Sequence, residues 1–226
     1  MRLLKDIEFF FFPPLCEVCG RLLNTGEEIM CSYCYLGLPR TNFHLDPDNP
    51  VAKLFWGRVN IEKATSWFYF NKGSDYQPLL HKLKYHGFGE LGVYLGKSFA
   101  SEIMNTGFAD ADLIIPVPLH PRKQRKRGYN QSQKIAQGMQ QILDIPLETR
   151  ILIRSKFTDT QTRRSRFDRF LNMQDKFSIT DSETIKDQKI LLIDDVVTTG
   201  STLEACAQLL LDEGCGEVMV ATVAVA

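Results

Sequence analysis

The chain lacks an apolar run long enough to cross a bilayer, an internal repeat, a low-complexity segment and a net charge; 27 Lys and Arg balance 27 Asp and Glu over 226 residues. A transmembrane helix needs about 20 consecutive apolar residues, so none is expected. The start, MRLLKDIEFFFFPP, also lacks the unbroken apolar core of a secretory signal, because Lys5, Asp6 and Glu8 interrupt it. A cytoplasmic location is therefore expected. Residues 9–12, four phenylalanines, are too few to span and are followed by Pro13 and Pro14. They read as a hydrophobic anchor of an N-terminal module against the main body, with a membrane-surface or partner-docking patch as the alternative. A chain that is 44% hydrophobic and 24% charged can bury one good core plus a small appendage.

What the chain does have is the run ILLIDDVVTTGST at residues 190–202. Four apolar residues without alternation, Ile190, Leu191, Leu192 and Ile193, predict a strand covered on both faces, the habit of a mostly parallel α/β sheet flanked by helices. Asp194 and Asp195 then fall at its C-terminal end, where open α/β sheets bind ligands. Thr198, Thr199, Ser201 and Thr202 offer hydroxyls, and Gly200 permits a tight turn into a helix. That helix carries Leu203, Cys206, Ala207, Leu210 and Leu211 on one face and stops near Gly214, before a strand at 218–225. A phosphorylated sugar would be gripped at both ends. The carboxylates accept hydrogen bonds from neighbouring ribose hydroxyls, and the turn holds a 5′-phosphate. Adjacent residues of an extended strand face opposite sides, so both acids reach one ribose only if the chain bends, as the Val-Val-Thr-Thr-Gly turn is expected to allow.

This run resembles the ribose-phosphate signature of type I phosphoribosyltransferases at every position of the pattern. The resemblance implies a type I phosphoribosyltransferase-like fold and the ligand 5-phosphoribosyl-1-pyrophosphate with Mg²⁺. Asp194 and Asp195 would be the catalytic pair, and Thr198, Thr199, Gly200, Ser201 and Thr202 the phosphate anchor.

The zero net charge conceals an asymmetry: residues 114–170 carry 13 Lys and Arg against 4 Asp and Glu, and the remainder 14 against 23. Charge runs are usually solvated surface. Here the excess falls in two segments expected to be loops beside the phosphate turn. The first follows a strand at 113–117 and reads PVPLHPRKQRKRGYNQ. Pro116, Pro118 and Pro121 stop regular structure, and Arg122, Lys123, Arg125, Lys126 and Arg127 offer donors to a pyrophosphate before a helix marked by Ile135, Met139, Ile142 and Leu143. By the same resemblance, Val117, Pro118, Leu119 and His120 are the positional equivalents of the pyrophosphate-contacting turn. The second segment follows a strand at 150–153 and contains Arg154 and Lys156. Type I phosphoribosyltransferases carry there a mobile loop that closes over the reacting centre and excludes water.

Together, PVPLHPxxxxxRGYNQ, TxTQTxxxxxxR, Asn172, Phe177 and the signature resemble the ComF family, the competence protein F group of phosphoribosyltransferase-like proteins. The resemblance runs along nearly the whole chain, including KLKYHG at 82–87 and the cysteine-rich N-terminus. It implies substrate-binding roles for Lys84, Arg122, Arg127, Asn130, Gln131, Arg154, Lys156, Gln161, Thr162, Arg169 and Asn172, and a part in DNA uptake during natural transformation. Tyr129 stands where the family pattern often has Phe, and its hydroxyl could add a contact.

Cys16, Cys19, Cys31 and Cys34 form C-x2-C-x11-C-x2-C, a spacing that lets two knuckles present four thiolates to one tetrahedral ion. Structural zinc is expected, with Gly20 and Gly26 suited to the turns; disulfides are the alternative, disfavoured in a reducing cytosol. Four protein ligands leave no open position for water, so catalysis at this metal is not expected. Cys206 and Cys215 read as ordinary packing residues.

Residues 1–50 are thus expected as a four-cysteine zinc-binding module and 51–226 as the phosphoribosyltransferase-like domain, with hood elements at about 60–108 and the signature core at about 110–226. Trp67, Phe68, Tyr69 and Phe70 read as a strand. Asp75 would cap a helix with Leu79, Leu80 and Leu83 that ends near Gly87, and Leu91, Leu95, Phe99 and Ile103 mark another helix. The aromatic residues are read mainly as core, with stacking on a nucleobase as the alternative. His81 and His86 are read as structural or solvent-facing. Two functions follow. One is phosphoribosyl transfer with pyrophosphate release; the other is a non-catalytic nucleotide sensor whose basic face contacts single-stranded DNA or a competence helicase partner.

Overall fold

The computed structural model describes residues 13–85, 87–154 and 177–226. The expectations for residues 9–12, His86, Lys156, Gln161, Thr162, Arg169 and Asn172 lie outside the described residues.

Strands β1 (Lys63–Tyr69), β2 (Leu113–Pro116), β5 (Lys189–Val197) and β6 (Glu217–Val225) form one sheet in the order β1-β6-β5-β2, with all pairs parallel. β3 (Leu152–Arg154) and β4 (Phe177–Ile179) pair antiparallel as a separate ladder. The helices are α1 (Ser32–Leu36), α2 (Pro50–Lys53), α3 (Gln77–Tyr85), α4 (Gly89–Ile103), α5 (Pro121–Arg127), α6 (Gln131–Leu143) and α7 (Ser201–Asp212). None is long and apolar enough to cross a membrane among the described residues.

The unbroken apolar runs of β5 and β6 are buried because both faces of the sheet are covered. On one face Leu191, Ile193, Met219 and Ala221 pack with residues of α3, α4 and α6; on the other Ile190, Leu192, Val218 and Val220 pack with α2 and α7. The first core also takes in Cys16, Ile29, Met30, Cys31, Cys34 and Leu38. The cysteine-bearing segment and the sheet therefore share one apolar core. Trp67 lies inside it, stacked on Phe99 at 5.9 Å between ring centroids and tilted against Tyr35 at 6.4 Å. Trp67 and Phe68 are thus core residues, while Tyr69 stands half exposed at the strand end against Phe43.

Two expectations change. The basic segment is helical: Pro121 occupies the first position of α5, where its fixed φ suits a helix and its missing N–H costs nothing, and Gly128 at φ 84° ends it. The signature strand does not stop at Ile193 but runs on to Val197, because β6 continues beside it as far as Val225. Residues 60–108 contribute β1 to the parallel sheet itself and place α4 against α6.

The α4–α6 crossing depends on glycine. A Cβ at Gly96 would sit 2.0 Å from the Ile135 carbonyl oxygen, and one at Gly138 2.1 Å from that of Val93. Backbone cannot yield as a side-chain tip can. Gly96→Ala is therefore expected to destabilise the chain by about 3 kcal/mol, despite alanine's better helix propensity. Urea unfolding with an unchanged midpoint would refute this.

Candidate functional site

The site forms at the C-terminal edge of the parallel sheet. Asp194 Oδ1 accepts a hydrogen bond from Ser132 Oγ at 2.8 Å and from the Asp195 N–H at 2.9 Å. Asp195 Oδ1 accepts the Val196 N–H at 2.8 Å, and its Oδ2 lies 3.3 Å from Lys84 Nζ. Ser132 begins α6 and Lys84 ends α3, helices of the same sheet face. Both carboxylates therefore meet groups of helices from that one face, and the strict alternation of the strand breaks here, since Ile193 and Val196 both pack in the core of that face. Each carboxylate also accepts the next residue's amide, while strand register is kept at Asp194↔Thr222 and Val196↔Ala224. Burial, reinforced by the neighbouring Asp195 charge, raises the Asp194 carboxyl to about 7.

Thr198 and Thr199 are exposed at the turn, with Thr199 Oγ1 3.1 Å from Ser201 Oγ. Gly200 takes φ 73° at the N-cap of α7, and no side chain among the described residues caps that helix. An uncapped twelve-residue helix leaves first-turn N–H groups for an anion. Gly200 is needed twice: its φ disfavours other residues, and a Cβ there would sit 3.2 Å from the Phe55 ring.

The second strand-to-helix turn lies next to β5. Val117 donates its N–H to the Ile193 carbonyl at 2.8 Å, while its own carbonyl accepts from Asn130 Nδ2 at 2.9 Å. Asn130 also caps α6, its Oδ1 accepting the Ser132 N–H at 3.2 Å. It thus staples the turn to the helix that carries Ser132. Gln131 accepts from Arg127 Nη1 at 2.8 Å, and its buried Nε2 has no partner among the described residues. His120 caps α5 through Nδ1, which accepts the Arg122 N–H at 3.1 Å; Pro118 and Leu119 are half-buried in the turn, and the Arg122 side chain is exposed. Arg154 lies over the Phe177 ring at 5.3 Å, on the separate ladder.

Three supports escaped the sequence reading. Arg58 donates to the Leu54 carbonyl at 3.0 Å and the Thr199 carbonyl at 3.3 Å, and pairs with Glu204 of α7. Phe55 floors Gly200 from the same segment, whose only local signal was Asn49-Pro50, a helix start in which buried Asn49 caps α2. Ser132 carried no signal of its own.

The four cysteine sulfurs lie within 4.8 Å of one another. Cys19 and Cys31 Sγ are 3.7 Å apart, close to the roughly 3.8 Å expected between sulfurs of a tetrahedral site with Zn–S bonds of about 2.3 Å. The Cys31 N–H points to Cys16 Sγ at 3.3 Å, and Gly20 and Gly26 take φ of 70° and 91° in the turns. All six cysteines are free thiols, so the donor set fits a metal ion rather than disulfides. The Arg21 backbone N–H and then its side chain hold the exposed Cys19 thiol down at about 6, whereas burial pushes Cys34 far up.

The phosphoribosyl transferase domain family matches residues 125–225, which carry the acid pair and the glycine turn at the sheet end. The chain is 32% identical over 214 residues to DNA utilization protein YhgH of Shigella flexneri, covering 91% of this chain and 88% of that protein. It is 41% identical over 110 residues to Competence protein F of Haemophilus influenzae, 48% of each chain. The chain belongs to the ComF family of phosphoribosyltransferase-domain proteins. Among solved structures, the allosteric regulatory enzyme of purine biosynthesis matches at 23% identity and TM-score 0.43, over 58% of this chain and 25% of that one.

Proposed function

We propose that the protein binds 5-phosphoribosyl-1-pyrophosphate with Mg²⁺ and transfers its phosphoribosyl group, releasing pyrophosphate, and that it acts in the cytoplasm in the DNA utilization and competence that its relatives' names give. The observation that carries this reading is the convergence of two carboxylates with an uncapped helix N-terminus at one sheet edge. Asp194 and Asp195 accept from the ribose hydroxyls and offset the positive charge that develops on the sugar. Residues 198–202 anchor the 5′-phosphate, which orients the anomeric carbon. The bond from that carbon to pyrophosphate breaks with its electron pair leaving on oxygen, and an acceptor's lone pair forms the new bond. When bound with the substrate, Mg²⁺ would supply neutralisation of the charge on the leaving pyrophosphate. Val117, Pro118, Leu119, His120, Arg122 and Arg127 line the route to that group. Zinc on Cys16, Cys19, Cys31 and Cys34 is structural, because four thiolates leave no open position.

Pyrophosphate release, assayed against a panel of nucleobases and amines, is expected with at least one acceptor. Binding without release from any of them would favour the sensor reading. That second reading draws on the exposed side chains of Arg122, Lys123, Arg125 and Lys126, since a helix presenting cations and no acid suits a phosphate backbone. If it holds, single-stranded DNA binding weakens steeply with salt and falls in the Arg125→Ala, Lys126→Ala double variant. Affinity unchanged from low to high salt would rule it out.

A further inference from the structure

Helix α3 touches both the cysteine cluster and the acid pair. Just before it, Tyr76 donates its hydroxyl to the Cys34 carbonyl at 2.9 Å. Midway, Lys82 pairs with Glu17, which lies between Cys16 and Cys19 in sequence. Towards its end, the Leu83 carbonyl accepts the Tyr129 hydroxyl at 2.5 Å, and Lys84 reaches Asp195 at 3.3 Å. Between these polar ties, Leu79, Leu80 and Leu83 are buried in the core that contains Cys16, Cys31 and Cys34. Nine residues of helix are stiff over this distance, so a shift of the knuckles that moves Tyr76 and Lys82 also moves Lys84.

The position of Lys84 matters electrostatically. A ligand carrying a phosphate and a pyrophosphate must enter a site that already holds two carboxylates, and a fixed cation beside Asp195 offsets that repulsion. Lys84 acts on Asp195 at 3.3 Å, so its effect lasts only while α3 keeps its Cα within reach of a four-carbon stem.

We propose that the cysteine module is a positioning element of the ribose-phosphate site: Tyr76 and the Glu17–Lys82 pair act through α3 to place Lys84 beside Asp195, so that metal loading and phosphoribosyl binding are energetically coupled. This rests on the ribose-phosphate reading of the acid pair. By linkage the coupling is reciprocal: saturating ligand tightens zinc by the same factor by which zinc tightens ligand.

The test uses the full zinc-loaded chain and 5-phosphoribosyl-1-pyrophosphate with Mg²⁺ as the probe. Lys84→Met is expected to weaken calorimetric binding about tenfold. Tyr76→Phe and Glu17→Gln are each expected to keep one equivalent of zinc and weaken binding about threefold, and to add little once Lys84 is already Met. Zinc affinity, measured by competition with a chromogenic chelator, should rise about threefold or more when the wild-type site is saturated with the probe. A purely structural role for Glu17 or Tyr76 would give effects that persist in the Lys84→Met background. Additive effects, or a zinc affinity indifferent to a probe that demonstrably binds, would overturn the coupling. A wild-type protein that does not bind the probe at all would instead remove the reading beneath it.

Discussion

Removing the metal from the four-cysteine cluster will destabilise the whole chain, not release a separate N-terminal module. Cys16, Cys31 and Cys34 are buried, and they sit in one core with Trp67, Leu83, Leu95 and Leu191. In an ordinary zinc ribbon, metal loss unfolds the ribbon because the binding energy is its folding energy. Here a metal bound at the cluster would also hold Ile29, Met30 and Leu38 in the core they share with Trp67 and Leu95. Without the ion, four sulfurs within 4.8 Å of one another must carry protons or repel as thiolates. Chelation, or Cys31→Ser, is expected to cost about 3 to 5 kcal/mol and to lower the midpoint of a single cooperative transition. A calorimetric scan would show this directly. Two separated transitions, with the later one at the holo protein's temperature, would mean that the module and the sheet fold independently.

The parts of this molecule that were legible in sequence are those written locally. The apolar run of 190–193, the helix face of Leu203, Cys206 and Leu210, and the double Cys-x2-Cys spacing each specify their geometry within a few residues. The residues that failed this rule did so for long-range reasons. β5 runs past its acids because Val196 and Val197 pair with Ala224 and Val225, a partnership no window around Asp194 contains. The basic segment hid a helix because three prolines outweighed its charge run, although one proline at the first helical position favours a helix. Ser132 and Arg58 reach the site from other elements, 62 and 141 residues from the groups they contact, and nothing in their own neighbourhoods marks them. The extra hydroxyl of Tyr129 was visible as a substitution; that it holds the Leu83 carbonyl beside Lys84 required the fold.

Binding of 5-phosphoribosyl-1-pyrophosphate with Mg²⁺ will strengthen as pH rises towards and through about 7, and will be lost in the Asp194→Asn, Asp195→Asn double variant. Burial and then the Asp195 charge hold Asp194 up at about 7, so near neutrality the empty site keeps a proton on it for much of the time. Ribose hydroxyls donate best to the ionised form, so binding must expel that proton. Calorimetry in buffers of different ionisation enthalpy should therefore find close to one proton released at pH 6 and little at pH 8. Folding stability moves the opposite way. An aspartate in the unfolded chain ionises near 3.9, so from about pH 4 to 7 the unfolded state binds fewer protons than the native state, and stability falls as pH rises across that window. Asp194→Asn removes this penalty, so above pH 7 the variant should be more stable than wild type even though its binding is impaired. Asp195→Asn removes the charge that helps to raise Asp194, and should shift the pH profile of binding to lower values. Each charged hydrogen bond lost should cost roughly 1.5 to 3 kcal/mol, so the double variant is expected to bind about a hundredfold more weakly or worse. A wild-type profile flat from pH 5 to 8, or a double variant that binds as tightly, would show that neither carboxylate holds the ribose.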